Sequence, residues 1–247
     1  EYFDAVGLVS DWMEKDGMNV SVDQHFNLIG TIPGTDPDAK PIVVGSHIDT
    51  VPTGGKYDGV LGVLGGMEAA KRLKGTTKHP IQVVAFYDEE DSMSGSIGFT
   101  QSKSVYDIKA FLELHVEQGP VLDKRGADIG VVEGIVGQRR CKFVITGQAN
   151  HAGTTPMDMR DDALVKASEL VSYVYHRASI YDGLVATVGK LDVSPNLFSI
   201  IPGRVDLTLQ IRDLDTSNII RFASDVASKF DLIYETDYES TPALCDR

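Results

Sequence analysis

Apolar positions recur at helical spacing in "FDAVGLVSDWMEKDG", which predicts an amphipathic helix closed by Gly17. The stretch "NVSVDQHFNLIGTIPG" reads as a strand and a turn. "PIVVGSHI" and "IQVVAFYDEE" are short, nearly continuous apolar runs, and between them "GVLGGMEAAKRLKG" returns to the helical period. Strand, helix and strand with unbroken apolar runs predict an α/β layer whose sheet is largely parallel and covered on both faces. Near Gly134 to Gly137 the rhythm changes. "RRCKFVITGQ", "GLVATVGKLDV", "GRVDLTLQIRD" and "DLIYETDYE" read as strands, with helices in "MDMRDDALVKASELVSYVYHRA" and "TSNIIRFASDVASKF". The resulting order β-α-β-β-α-β predicts a compact ferredoxin-like unit over 136–240, after a first unit over 1–135. The chain opens abruptly, with apolar residues already at helical spacing, so a preceding segment is expected.

Composition narrows the function classes. The 36 acidic and 23 basic residues give a formal charge of −13, which argues against a nucleic-acid groove or an anionic membrane surface as partner. It leaves open a small substrate held in a locally cationic pocket. No apolar run approaches the ~18 residues of a membrane span, and no signal-peptide pattern opens the chain. Cys141 and Cys245 are far apart and form no CxxC pattern, so neither a disulfide framework nor a thiolate zinc site is expected, and a reducing, cytoplasmic setting fits.

The chemistry gathers where the first unit's strands end, the usual place for ligand sites in such sheets. His47, Asp49 and Asp58 follow one strand in "GSHIDTVPTGGKYDG", Glu89 and Glu90 follow the next in "YDEED", and His115 and Glu117 come after them in "LELHVEQGP". Each has an ordinary reading by itself: a structural histidine, a helix N-cap for Asp58, a solvated edge for the glutamates. Together at one sheet edge, the carboxylates would repel one another unless a cation sat among them. Imidazole with carboxylate suits zinc, manganese or a similar divalent ion. A two-metal site needs a bridging carboxylate, N/O ligands on each side and an unbound carboxylate as base. Asp58 is placed to bridge, His47 and His115 to complete one metal, Glu90 to bind the other and Glu89 to act as base. Asp49 could accept the second ring N–H of His47 and fix its tautomer. Gly54, Gly55 and Gly59 would let the backbone pass close by with positive φ. In the second unit, Arg212 at a strand end could grip a substrate carboxylate, against an alternative as a surface ion pair. His151, in "NHAGTTP", could steady an oxyanion, against an alternative as a cap for the helix that follows.

The motifs "GSHIDTVPTGGKYDGVLGVLGG", "DEE", "LELHVEQGPVLD", "GQANHAGTTPMDMRDDAL" and "IIPGRVDLTLQIRD" resemble, in this order, the zinc-dependent aminoacylase/carboxypeptidase superfamily. The resemblance covers nearly the whole chain and is closest to the carbamoylase branch, which includes N-carbamoyl-L-amino-acid hydrolase, allantoate amidohydrolase and β-ureidopropionase. "HVEQGP" and "NHAGTTPM" are specific to that branch, and peptidase relatives carry a carboxylate where His115 stands. The resemblance implies metal ligands at His47, Asp58, Glu90 and His115, Asp58 bridging, with Glu89 as base and Gln118 on the substrate. It implies that His151 and Arg212 reach a substrate from a lid domain, typically in the partner subunit's site, and that the protein is a homodimer joined through that lid. Residues 1–135 would then be the N-terminal part of the metal-binding domain, 136–240 the lid, and 241–247 the start of the return.

The chain departs from the pattern in places. Ser199 in "FSIIPG" stands where the branch has Asn, which leaves the lid-side polar contact to Ser199 or the nearby Asn196. The segment between "DEE" and "LELH" is short. The returning segment's histidine, a ligand of the second metal in the family, has no counterpart among His25, His79 and His176, so the second site is expected to lack a ligand here and apolar surface to stand uncovered. The expected activity is hydrolysis of a carbamoyl C–N bond in an N-carbamoyl amino acid or allantoate, by water activated on two metals. An aminoacylase or dipeptidase on the same fold, or a chain that dimerises without turnover, are the competing expectations. Zn, Mn, Co and Ni all suit the ligands.

Overall fold

The computed structural model describes residues 2–102 and 107–245. The chain divides after Asp128 into two compact units.

The first unit contains α1 (Tyr2–Lys15), β1 (Asn19–Val22), β2 (Leu28–Ile32), β3 (Ile42–His47), α2 (Val60–Leu73), β4 (Ile81–Phe86), α3 (Ser94–Ser102), β5 (Ala110–Leu112) and α4 (Val121–Arg125). Its sheet runs β1-β2-β4-β3-β5. β3 lies parallel to both β4 and β5, whereas β2 is antiparallel to β4 and to β1. The sheet is therefore mixed, and parallel only in the half that carries the ionisable cluster. The strand-and-turn stretch turns out to be a hairpin. Asp23 makes its turn, accepting from the backbone N–H groups of His25 and Asn27 while Phe26 takes a left-handed φ of 64°.

Burial on both faces explains the continuous apolar runs. Val83 and Ala85 of β4 pack with α1 (Val9, Met13) and α2 (Val63, Met67, Ala70), and Val84 and Phe86 pack on the other face with Val43 and Phe99. α2 comes very close to the strand ends. A Cβ added at Gly62 would lie 2.4 Å from the Leu114 carbonyl oxygen and 2.7 Å from the Ser46 Cβ.

The second unit contains β6 (Gly134–Ile135), β7 (Gly137–Thr146), α5 (Ala163–Ala178), β8 (Val185–Ser194), β9 (Arg204–Asp213), α6 (Thr216–Lys229), β10 (Tyr234–Ser240) and β11 (Ala243–Leu244). β7 to β10 form an antiparallel sheet in the order β10-β7-β9-β8, and the chain through it follows the order β-α-β-β-α-β. Strand alternation sorts the faces. Phe143, Ile145, Val205, Leu207, Leu209 and Ile211 are buried with Leu170 and Val174 of α5 and Phe222 and Val226 of α6. Arg140, Lys142, Thr208 and Gln210 line the open face. Asp162 caps α5 and Asp215 caps α6, each carboxylate accepting from a first-turn N–H. Both cysteines are free, and burial pushes the Cys141 thiol up to about 11. β6 pairs with β11, so the unit's first and last strands lie side by side. No helix among the described residues is long and apolar enough to cross a membrane.

One buried side chain ties the hairpin to the loop after β4. Asn27 is fully buried; its Oδ1 accepts from Tyr87 N–H at 3.0 Å and its Nδ2 donates to the Gly95 carbonyl at 3.0 Å and to Asp23 Oδ2 at 2.9 Å. Replacing it by Ala leaves those partners buried and unpaired. Asn27→Ala should lower the unfolding free energy by about 2–3 kcal/mol, measured by urea denaturation; a change below ~0.5 kcal/mol would show the clamp to be dispensable.

Candidate metal centre

The site lies at the carboxyl ends of β3 and β4 and just beyond β5, built on first-unit elements alone. His47 is the last residue of β3 and only 2% exposed. Its Nδ1 lies 3.0 Å from the Asp49 carbonyl oxygen. A carbonyl can only accept, so Nδ1 carries the proton and Nε2 presents a bare lone pair. His115 repeats the arrangement, with Nδ1 2.9 Å from the Val116 carbonyl oxygen. The two rings lie 5.8 Å apart, centroid to centroid.

Asp58 faces them. Its Oδ1 is 3.3 Å from His115 Nε2, buried, and without a hydrogen-bond partner, while Oδ2 accepts from Gln118 Nε2 at 2.7 Å. The carboxylate does not cap α2, whose N-cap is Gly59 with no side-chain bond, so the capping alternative for Asp58 falls away. Gly59 takes a φ of 66°, and a Cβ there would lie 2.4 Å from the His47 ring. That position needs both the left-handed backbone and the missing side chain. Gly54 and Gly55, also expected at positive φ, do not have it.

Ligand-type atoms of His47, Asp58 and His115 lie within 4.8 Å of one another. Two bare imidazole nitrogens turned toward an unpartnered carboxylate oxygen hold only lone pairs between them. Such a set is stable around a cation, and its N/O composition suits zinc, manganese, cobalt or nickel. The residues fit the divalent ion expected from the sequence.

The other expected groups take distinct places. Glu89 Oε2 is 3.7 Å from His47 Nε2. Burial raises its carboxyl above the ordinary value; the His47 ring opposes that shift, and negative charge on Glu90, Asp49 and Glu113 adds to it. Asp49 Oδ1 lies 3.6 Å from His47 Nδ1, farther than the Asp49 carbonyl, and its Oδ2 accepts from the Glu90 backbone N–H at 2.9 Å. The tautomer of His47 is thus set by the Asp49 main chain, and the carboxylate fastens the β3 loop to the β4 loop. The Glu90 side chain is not part of the three-residue group. Gln118, expected on the substrate, spends its amide on Asp58 and sits at a φ of 56°. Glu117 caps α4, accepting from Val121 and Leu122 N–H.

Two contributors escaped the sequence reading. Glu113 accepts from buried Ser46 Oγ at 2.5 Å; the alternation of "LELH", which puts Glu113 two residues from His115, was the available signal. Tyr2 of α1 has a buried hydroxyl without a hydrogen-bond partner, pushed up to about 12 by burial and then by the charge of Asp49. Nothing in its local sequence pointed there.

His151, Asn196, Ser199 and Arg212 belong to the second unit. His151 bridges to Ile200, and Ala152 N–H donates to the Ser199 carbonyl at 2.8 Å, so the "NHAGTTP" and "FSIIPG" stretches run together. The cap of α5 is Asp162 and not His151. Asn196 has a φ of 58°. Arg212, exposed near the end of β9, has no ion-pair partner among the described residues. His151 and Arg212 therefore mark opposite ends of β9, whose run from Arg204 to Arg212 spans about 26 Å at ~3.3 Å per residue.

Comparison with known proteins shows the family. The sequence model of peptidase family M20/M25/M40 matches residues 43–245. The chain is similar to an N-carbamoyl-L-amino acid amidohydrolase of Geobacillus stearothermophilus, 36% identical over 252 residues, covering 85% of this chain and 62% of that protein. It is similar to an allantoate amidohydrolase of Bacillus subtilis (strain 168), 35% identical over 270 residues, covering 92% and 66%. The crystal structure of a hydantoinase/carbamoylase family amidase from Burkholderia ambifaria superposes with a TM-score of 0.85 at 29% identity, over 99% of this chain and 71% of that one. The chain spans about two thirds or less of the length of these two curated relatives.

Calorimetric titration of the metal-free protein with Zn²⁺ or Mn²⁺ should show one ion bound at this group. Asp58→Asn and His115→Ala should each weaken that binding by at least about 100-fold. Unchanged affinity in both variants would place the ion elsewhere.

Proposed function

The chain belongs to peptidase family M20/M25/M40, in its hydantoinase/carbamoylase branch, and from that membership we propose that this protein is a metal-dependent amidohydrolase of carbamoyl or ureido C–N bonds in linear amides. The substrate class is an N-carbamoyl amino acid or allantoate, which are the compounds named for its relatives. One observation carries the reading: two imidazoles with Nδ1 tied to backbone carbonyls turn bare Nε2 atoms toward an unpartnered Asp58 oxygen, with the Glu89 carboxylate 3.7 Å from one of them.

His47, Asp58 and His115 would hold the first divalent ion, and Glu90 with Asp58 the second. Bound there, the ions supply Lewis acidity for the amide carbonyl and for water. Glu89 removes a proton from water as its oxygen adds to the carbamoyl carbon, and returns that proton to the nitrogen as the C–N bond breaks. A carboxyl raised by burial suits both halves of this transfer. Asp49 holds the Glu89–Glu90 turn in place through the Glu90 N–H. Gln118 fixes the face that Asp58 presents.

The second unit acts as lid and dimerisation module. Arg212, with no ion-pair partner among the described residues, grips the substrate carboxylate as a fork. His151 Nδ1 accepts from Gly153 N–H at 3.0 Å, so the neutral ring donates from Nε2, toward the oxyanion. Asn196 and Ser199 lie on the segment paired with His151 and contribute the remaining polar contacts. Since His151 and Arg212 stand at opposite ends of β9, a small substrate takes one from each of two copies, which supports a homodimer.

In the full enzyme, Glu89→Gln should cut turnover of N-carbamoyl amino acids and allantoate by on the order of 10²–10⁴-fold while metal content stays unchanged. Retained turnover would remove Glu89 as the base. Co-expressed His151→Ala and Arg212→Ala chains, each inactive alone, should recover about a quarter of the wild-type rate, because half of the randomly formed dimers carry one intact site. No recovery would mean that both residues come from one copy.

A further inference from the structure

The loop that carries His151 is held by a residue that no part of the proposed chemistry uses. Arg160 stands nine residues downstream, half-buried, just before the Asp162 cap of α5. Its Nη2 donates to the Ala152 carbonyl at 2.6 Å and to the Thr155 carbonyl at 3.0 Å, and its Nε donates to Thr155 again at 3.1 Å. Among the described residues it has no carboxylate partner, so its hydrogen bonding is spent on these two main-chain oxygens. Both belong to the five residues 151–155.

The remaining bonds of that turn converge on His151, two on its carbonyl and one on its ring. Thr155 donates to the His151 carbonyl through its N–H at 3.2 Å and through Oγ1 at 2.8 Å. Gly153 N–H donates to His151 Nδ1 at 3.0 Å. An amide N–H can only donate, so Nδ1 is the acceptor nitrogen and the proton of the neutral ring is on Nε2. Gly153 lies between the two carbonyls that Arg160 clamps. The guanidinium therefore fixes the peptide whose N–H selects the tautomer.

We propose that Arg160 is a positioning residue for His151: by bridging the Ala152 and Thr155 carbonyls it sets the Gly153 N–H on Nδ1 and keeps His151 an Nε2–H donor. Geometry explains the choice of arginine. A planar fork reaches two carbonyls of different peptide units at once, while a lysine ammonium is a point charge on a flexible stem. The inference deepens the oxyanion role proposed for His151 and rests on that role for its functional meaning, but not for its test.

The experiment reads the ring directly in the 247-residue chain, uniformly 15N-labelled and without substrate. The His151 signals are assigned by their loss in His151→Gln. In the unsubstituted protein, Nδ1 should show the shift of an unprotonated ring nitrogen and Nε2 that of a protonated one at neutral pH. Arg160→Gln should mix the two tautomers and speed exchange of the Gly153 amide by about tenfold, the loss of roughly one hydrogen bond. Arg160→Lys should fall between. Amides Leu164 and Val165, bonded to the Asp162 cap, report whether the unit is still folded; if the glutamine variant fails that check, the lysine variant decides. An unchanged tautomer, with Gly153 exchange within about twofold in a folded variant, overturns the proposal. Normal turnover in a His151→Gln enzyme would count against the role of His151 and leave Arg160 judged by the spectrum.

Discussion

Two imidazoles in the first unit donate their Nδ1 protons to main-chain carbonyls, His47 to Asp49 and His115 to Val116, and the character of the site follows from that pair of bonds. Had the carbonyls been donors, each ring would present an N–H inward and the centre would suit an anion. As built, it presents lone pairs. Those bonds in turn require the backbone just beyond β3 and β5 to curl back on the rings. That curl is possible at His47 because Gly59 leaves room against the ring face and Gly62 lets α2 approach the strand ends.

Negative charge is concentrated around these lone pairs. Asp49, Asp58, Glu89, Glu90 and Glu113 share one end of the sheet; burial first, and then the charges of Glu90, Asp49 and Glu113, raise the Glu89 carboxyl. The protein offsets part of it with neutral donors: Ser46 to Glu113, Gln118 to Asp58, and the Glu90 N–H to Asp49. Asp58 Oδ1 and Asp49 Oδ1 remain buried and unpartnered. Burying such oxygens costs free energy unless they serve a bound cation. The cluster is thus organised at the expense of local stability, and the Asn27 clamp is one of the places where that organisation is held.

Much of this was legible in the sequence because it depends on period and position. Continuous apolar strands placed "GSHID" and "YDEED" at the ends of neighbouring parallel strands, which is why the grouping of His47, Asp58 and His115 could be expected. What depended on a single contact was not legible. The hairpin of β1 and β2 rests on Asp23 gathering the N–H groups of its turn, and its antiparallel entry makes the sheet mixed. Gln118 meets Asp58 across 60 residues of chain, and no local signal distinguishes that amide from one aimed at a substrate. Asp49 and its carbonyl exchanged roles because a carboxylate and the main chain of one residue compete for the same ring proton. In the second unit, β7 and β9 were legible as strands of a β-α-β-β-α-β order, whereas the clamp by Arg160 joins atoms of a turn that has no period at all.

The pairing of β6 with β11 has a topological consequence. The second unit's first and last strands are zipped together, and the Cys245 N–H bonded to the Glu133 carbonyl at 3.0 Å extends the zipper. A body of more than a hundred residues is thereby tethered through two points only a strand spacing apart, ~4.8 Å. With its ends fixed at that spacing, the segment between them can lengthen or shorten at its loops at little cost in closure entropy. Evolution or a protein engineer could lengthen or shorten those loops without disturbing the paired base. The zipper is a clasp written in hydrogen bonds.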